Sequence, residues 1–553
     1  MNKRYTFVVI FLIILSPAFL SAQSKSQAFE ISKNLDIYAT LFKELNNNYV
    51  DEIQPGELNS TALKSMLESL DPYTIYIPES KVEDMKFLTT GEYGGIGVSV
   101  VKRNDNVMIA TIQEDSPAQE QGLLAGDEII SIDDQDLSEK SDEEINILLK
   151  GQPGTPTKVS IKRMGEEKLI DKQVLRKKLD VDNIPYYGML DSTLGYINLM
   201  TFTKNAAAKT TRAFNDLKDQ NAKALIFDLR GNGGGLIGEA VDILNLFIDK
   251  DTEVVRTKSR LREKNYVYRT RRDAKDTEIP IVILVDKNSA SASEIVSGAI
   301  QDLDRGVIIG ERTFGKGLVQ NVIPLSFNSQ LKVTIAKYYI PSGRCIQAID
   351  YSHKDHDGNA HLVDDSLLIA FQTKNGRTVY DGRGIKPDIL MSPTDYSEFT
   401  SNLIKKFIIF DFATMFRLEH DSIPAPDEFE ITDQIWNQFV EFLSTKDLSY
   451  QSDLEVKLAN MKEELKENEM YDELESVFQK IEEEISSKKE NELEEKKKEI
   501  KRVLKTDLVS RYYYGKGVII ANLYQDKAIK RAMKLLNNQE EYIGILQASD
   551  EAK

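Results

Sequence analysis

Ile279-Pro280-Ile281-Val282-Ile283-Leu284-Val285-Asp286-Lys287-Asn288-Ser289-Ala290-Ser291-Ala292-Ser293-Glu294-Ile295 is the stretch that decides the fold. Its apolar opening, rich in β-branched residues, has the pattern of a strand buried on both faces. Ser293 to Leu303 then reads as a helix. A strand, turn and helix in that order present a turn serine at the mouth of a sheet. They also aim the next backbone N–H groups and the helix dipole at the same point. The plain alternative is that the Ser-Ala repeat is only a loop.

The same rhythm continues on both sides. Leu194 to Leu199, Ala224 to Leu229, Val307 to Ile309 and Leu331 to Tyr339 read as strands. Ala206 to Leu217 and Glu239 to Phe247 read as helices. Buried strands alternating with helices from Gly195 to about Pro393 predict an α/β layered core. Upstream, Gly91 to Leu179 holds short strands with turn signals, including Gly126-Asp127, and a helix at Asp142 to Leu149: a compact, mostly β module. Before it, Phe29 to Tyr49 and Leu58 to Leu70 carry apolar residues at helical spacing. Beyond Tyr396 the chain is helical and highly charged. Leu454, Leu458, Met461, Leu465 and Met470, Leu474, Val477, Ile481 step as in a short coiled coil.

The 553 residues exceed one core and suggest three or four domains. A formal charge of −18 disfavours a polyanionic partner such as nucleic acid. One cysteine, Cys345, excludes an intrachain disulfide and reads as a small buried residue. Three of the four histidines, His353, His356 and His361, lie in a polar loop without metal-ligand spacing, so they read as solvated. No metal or cofactor is expected. Lys3 and Arg4, the apolar Phe7 to Leu15 and the small residues at Ser21-Ala22 have the form of an export signal over 1–22. That makes the protein an exported one, in the periplasm of a two-membrane cell, with an uncleaved membrane anchor as the alternative.

A serine nucleophile needs a base. Gly315-Lys316-Gly317 follows the strand Val307 to Ile309, in an otherwise apolar stretch. A lysine buried there would lose its proton more readily and could serve as general base. Gln320, four residues on, shares a face with Lys316 in either a strand or a helix.

Ser-Ala-Ser-Ala-Ser-Glu, then Phe-Gly-Lys-Gly-x-Val-Gln, resembles the C-terminal processing peptidases, or tail-specific proteases, which are serine endopeptidases with a Ser-Lys dyad. The resemblance implies Ser291 as nucleophile, Lys316 as base and Gln320 as the residue orienting it. Asp228 to Gly235 resembles the family's oxyanion loop, which implies Ala292 and Gly234 as donors to the developing charge. Gly95-Ile96-Gly97-Val98, with Ser116-Pro117-Ala118 and Gly126-Asp127, resembles a PDZ domain whose loop captures a peptide's C-terminal carboxylate. Ile96, Val98 and Val100 suggest apolar tails.

The expected architecture is a multidomain α/β protein. A signal would occupy 1–22, a helical module 28–90, the PDZ domain 91–179 and a crotonase- or Clp-protease-like peptidase core 180–395. Residues 396–553 would form a helical, partly coiled-coil domain for adaptor docking or self-association. The expected partners are proteins or peptides with free C-termini. A catalytically inactive PDZ and coiled-coil scaffold is the alternative.

Overall fold

Four of the expected apolar runs become the inner strands of one sheet: β1 (Tyr186–Met189), β2 (Leu194–Asn198), β3 (Ala224–Asp228), β4 (Ile281–Val285), β5 (Val307–Gly310) and β6 (Ile389–Leu390), side by side in that order. The expected run Leu331 to Tyr339 instead pairs in another sheet, with Glu253–Lys258 and Leu318–Pro324. β1 runs antiparallel to β2, and the remaining neighbours are parallel. Helices α1 (Ala206–Asp219), α2 (Ile237–Leu244) and α3 (Ala292–Asp302) supply connections between the parallel strands. Alternation along each strand separates two faces. Ile197, Leu225, Phe227, Ile281, Ile283 and Ile308 pack with Phe214, Leu217, Ile243 and Ile295 of the three helices. Tyr196, Ile226, Val282, Leu284, Val307 and Ile309 point the other way, yet each is at most 2% exposed.

What covers that second face is the end of the chain. Leu523, together with Ala528, Ile529, Ala532 and Leu535 of α4 (Lys527–Leu536), packs against it, as does Tyr542. The Tyr542 hydroxyl donates to the Ile281 carbonyl at 3.1 Å and lies 3.0 Å from the Ile281 amide, which donates to it. The C-terminal region expected from residue 396 thus packs, through 523–542, on the core's sheet. Residues 523–542 complete the core's third layer, because a sheet whose connecting helices all lie on one face leaves its other face apolar and bare.

The computed structural model describes residues 27–392, 396–468 and 470–547. The expected export signal at 1–22 lies outside them. No helix among the described residues is long and apolar enough to cross a membrane. The chain forms two units, one ending at Tyr76 and including Leu331–Val333, the other containing the rest. The first holds the two expected helices, at 27–48 and Pro55–Glu68, linked by the Tyr38 hydroxyl donating to Asn59. The helical module expected over 28–90 is thus divided, since Val82–Thr90 belongs to the second unit.

In the second unit, Val98–Arg103, Asn106–Ile112, Glu128–Ile132, Pro156–Lys162 and Ile170–Leu175 form an antiparallel sheet around Ile109, Ile129, Val159 and Ile161. The helix Asp142–Leu149 closes this module, its N-terminus fixed by a reciprocal capping box between Ser141 and Glu144. Glu92–Gly95 pairs with Lys177–Asp180, which ties the two ends of the module together. From Glu398 onward the helices gather around Phe412, Trp436, Phe439, Leu504 and Leu508. Asp453–Glu467 and Tyr471–Glu495 pair through Lys462–Glu482 and Lys489–Glu455. Leu454, Met461, Met470, Val477 and Ile481 of the expected seam are exposed, so the sequence pattern overstates that seam.

Candidate active site

The turn between β4 and α3 is stitched to the loop after β3. Asp286 Oδ1 accepts the amides of Gly231, Asn288 and Ser289 at 2.9–3.0 Å. The Ser289 hydroxyl donates to the Leu229 carbonyl at 2.9 Å. The Asn232 carbonyl accepts the Ala290 amide at 3.0 Å and the Ser293 hydroxyl at 2.8 Å. Asn232 itself is fully buried, with Nδ2 donating to Leu199 O at 2.8 Å. This fixes the path of the chain into Ser291.

Ser291 sits at the N-cap of α3 with φ 55° and ψ −111°, a conformation an L-residue holds only under constraint. The Tyr338 hydroxyl donates to its carbonyl at 3.1 Å. Gly234 packs directly against it: a Cβ at that position would come within 2.6 Å of Ala290 O, 2.8 Å of Ser291 Cβ and 2.9 Å of Ala292 N. Only glycine permits that approach, and at φ +100° only glycine adopts the backbone without strain. The Gly234 amide donates to Asn232 Oδ1 at 2.9 Å. Ala292, the first helical residue, is fully buried.

Glu294, fully buried, joins the serine to the lysine. Its Oε1 accepts the Thr313 hydroxyl at 2.6 Å and the Gly315 amide at 2.7 Å. Its Oε2 accepts the Ser291 amide at 2.8 Å and the Lys316 amide at 2.9 Å. One carboxylate oxygen therefore holds the backbones of both expected dyad residues, which lie 25 positions apart in sequence. Burial pushes the Glu294 carboxyl up to about 7 against the pull of its four donors, from Thr313, Lys316, Gly315 and Ser291.

Lys316 is half-buried, and its glycine neighbours have a packing reason. A Cβ on Gly315 would lie 2.4 Å from Ala348 Cβ, and one on Gly317 would lie 2.8 Å from Gln347 N. The Gly317 amide donates to Gln347 Oε1 at 2.8 Å. Gln320, on the strand Leu318–Pro324, donates from Nε2 to Thr334 Oγ1 at 3.2 Å. Sequence reading missed Glu294 as the hub, along with Thr313, Tyr338 and Gln347. The Glu at the third helical position, which marks capping, was the available signal for the first.

In the PDZ module, Gly95 bridges to Lys150 beside the helix Asp142–Leu149, and Val98–Arg103 is an edge strand. Val98 and Val100 are half-buried against the module's core. Ile96 is 1% exposed and belongs to that core, so of the three apolar residues expected to face a tail only Val98 and Val100 keep exposed surface. His353 and His361 pair at 2.7 Å with Asp350 and Asp355 on an exposed hairpin. Cys345 is half-buried, and burial pushes its thiol up, away from the reactive thiolate. A cavity of about 1040 Å³ at the carboxyl ends of β2 to β5 is lined by Asn198, Asp228, Arg230, Asp286 and Asp526, away from Ser291 and Lys316.

Comparison with known proteins places the chain in a family. Peptidase family S41 matches residues 193–353, a PDZ domain 94–174, and the C-terminal helical domain of a probable PDZ-protease 399–536. A carboxy-terminal-processing protease of Bartonella bacilliformis is 35% identical over 359 residues, 63% of this chain and 81% of that protein. The chain belongs to peptidase family S41, with the carboxy-terminal processing proteases. Carboxy-terminal processing protease CtpA of Bacillus subtilis is 31% identical over 306 residues, 55% of this chain and 65% of that one. The solved photosystem II D1 C-terminal processing protease is 25% identical, with a TM-score of 0.36 over 65% of this chain and 94% of that one. Like its family, this chain is a serine-type peptidase with a PDZ domain. Its multidomain α/β architecture is the one expected.

Proposed function

We propose that this S41 peptidase cleaves proteins near their C-termini by a Ser-Lys mechanism, with Ser291 as nucleophile and Lys316 as base. The observation that carries the reading is the shared Glu294 oxygen. It holds the Ser291 and Lys316 amides at 2.8 and 2.9 Å, so both side chains start from one point.

A neutral Lys316 amine takes the Ser291 proton as Oγ attacks the scissile carbonyl. The Ala292 amide, at the N-terminus of α3, stabilises the oxyanion. The Gly234 amide joins it by exchanging its bond to Asn232 Oδ1. Lys316 then protonates the leaving amine. Water hydrolyses the acyl-enzyme with the lysine again as base. Gln320 orients the ammonium through Oε1, since its Nε2 donates to Thr334.

The PDZ loop Gly95 to Val98 binds the terminal carboxylate, and the tail adds a strand along Val98–Arg103. Export to the periplasm and adaptor docking or self-association through the exposed helical hairpin complete the reading. The test is cleavage of a quenched fluorogenic peptide ending in Ala-Ala by the purified full chain. Ser291→Ala and Lys316→Ala should each lower kcat by about a thousandfold or more. Undiminished cleavage by contaminant-free Ser291→Ala would reject the assignment.

A further inference from the structure

Asp526 lies almost three hundred residues from the oxyanion loop in sequence and in contact with it in space. It caps α4: its Oδ1 accepts the amides of Ala528 and Ile529 at 2.8 and 2.9 Å. Its Oδ2 accepts Arg230 Nη1 at 2.8 Å. The rest of the Arg230 fork faces Asp228, with Nη2 2.6 Å from Oδ2 and Nε 3.0 Å from Oδ1. The Tyr196 hydroxyl donates to Asp228 Oδ2 at 2.8 Å. Burial works against the Arg230 charge, and the two carboxylates more than reverse it. Asp228 alone cannot engage every edge of a planar fork, and Asp526 takes the edge that remains.

Arg230 is the residue from which the oxyanion loop departs. Two positions on, the Asn232 carbonyl holds the Ala290 amide next to Ser291, and Asn232 Oδ1 holds the Gly234 amide. The Arg230 side chain, held on two sides by Asp228 and Asp526, therefore tethers the start of the segment that sets both the serine and its proposed oxyanion donors. Misplacement by about 1 Å at such a site costs on the order of a hundredfold in rate.

We propose that Asp526 is a positioning residue for catalysis. The C-terminal helical region holds Arg230 through it and so sets the oxyanion loop. The region then acts on the reaction itself, beyond any docking role. This inference rests on the reading of Ser291 as nucleophile beside that loop.

Asp526→Asn isolates the contact. Asparagine keeps an oxygen for the α4 cap and is as good an N-cap as aspartate. Its amide nitrogen cannot accept from Arg230. In the full chain, on the Ala-Ala peptide, kcat should fall between about tenfold and a hundredfold. KM should stay within about twofold, and the protein should stay fully folded at the assay temperature. Arg230→Gln and Arg230→Gln/Asp526→Asn should share one kcat, because Asp526 acts through Arg230. Wild-type kcat in Asp526→Asn, or a fall in kcat accounted for by the fraction of protein unfolded at the assay temperature, overturns the proposal. So does a further loss in the double variant. Activity surviving in Ser291→Ala would overturn the underlying reading, whereas a dead Ser291→Ala beside a fully active Asp526→Asn would overturn this inference alone.

Discussion

Replacing Glu294 by glutamine should separate stability from activity as the pH changes. The Glu294 carboxyl, ordinarily near 4.5, is pushed up to about 7 in the fold. The folded protein therefore binds more protons than the unfolded chain between those values. The associated stabilisation is fully present below about 4.5 and is lost as pH rises through about 7. At about 1.4 kcal/mol per pH unit, this one group removes about 3 kcal/mol across that window. Activity should move the other way, because only the carboxylate accepts all four donors and holds the Ser291 and Lys316 amides together. In Glu294→Gln the single carbonyl oxygen takes one pair of donors, and the new NH₂ faces the other. Placed toward Thr313, whose hydroxyl can turn to accept, that NH₂ still opposes the Gly315 amide, an unsatisfied donor costing about 1–3 kcal/mol. Relief of the buried charge offsets this at neutral pH. Glu294→Gln should thus melt near the wild type at pH 7 to 8, lose relative stability at pH 5, and cleave at least about tenfold more slowly throughout. Melting curves and kcat of both proteins between pH 5 and 8 check this. A constant stability difference across that range, or wild-type cleavage, would refute the reasoning.

Gly234→Ala should lose most activity and about 1–3 kcal/mol of stability, since its Cβ would meet Ala290 O and Ser291 Cβ from a left-handed backbone. Peptide cleavage alongside chemical denaturation will show whether both fall. Val100→Asp, on the edge strand of the PDZ module, should raise KM for the Ala-Ala peptide severalfold and leave kcat for a short peptide lacking that tail intact. Equal KM values in variant and wild type would remove Val100 from the tail groove.

The sheet was legible because its four inner strands are buried on both faces. Runs such as Ile281–Val285 and Ala224–Asp228 have no polar interruption before their ends, and the helices between them carry one apolar side. The PDZ strands were legible from alternation, and Glu128–Ile132 and Asp142–Leu149 begin and end where the pattern places them. Ser291 and Lys316 stood out because turn serines and glycine-flanked lysines are chemically conspicuous. Glu294 did not, because a Glu in the first turn of a helix reads as a cap, and its bonds to Thr313, Gly315 and Lys316 join segments whose approach no local pattern records. The glycines beside Lys316 were legible as an anomaly, but the reason, their approach to Gln347 and Ala348, lies in tertiary structure. The helical tail misled for a similar reason. Heptad spacing at Leu454 to Ile481 implied a seam, whereas the apolar residues that matter for the core are Ile529, Leu535 and Tyr542.

That last point bears on when the enzyme becomes competent. The segments holding Ser291, Lys316 and Gly234, down to the contacts of Tyr338, Gln347 and Ala348 and the edge strand Ile389–Leu390, all precede Leu523 by more than a hundred residues. Until 523–542 docks, one face of the central sheet has no cover, and Tyr196, Ile226, Val282, Leu284 and Ile309 stand open to water. Burying four large side chains there, Leu523, Ile529, Leu535 and Tyr542, contributes about 8 kcal/mol at about 2 kcal/mol each, comparable to the net stability of a whole domain. The segment that supplies this cover also brings Asp526 to Arg230. Covering the sheet and bringing Asp526 to Arg230 are therefore the work of one segment, so a chain cut before Leu523 should lose both together.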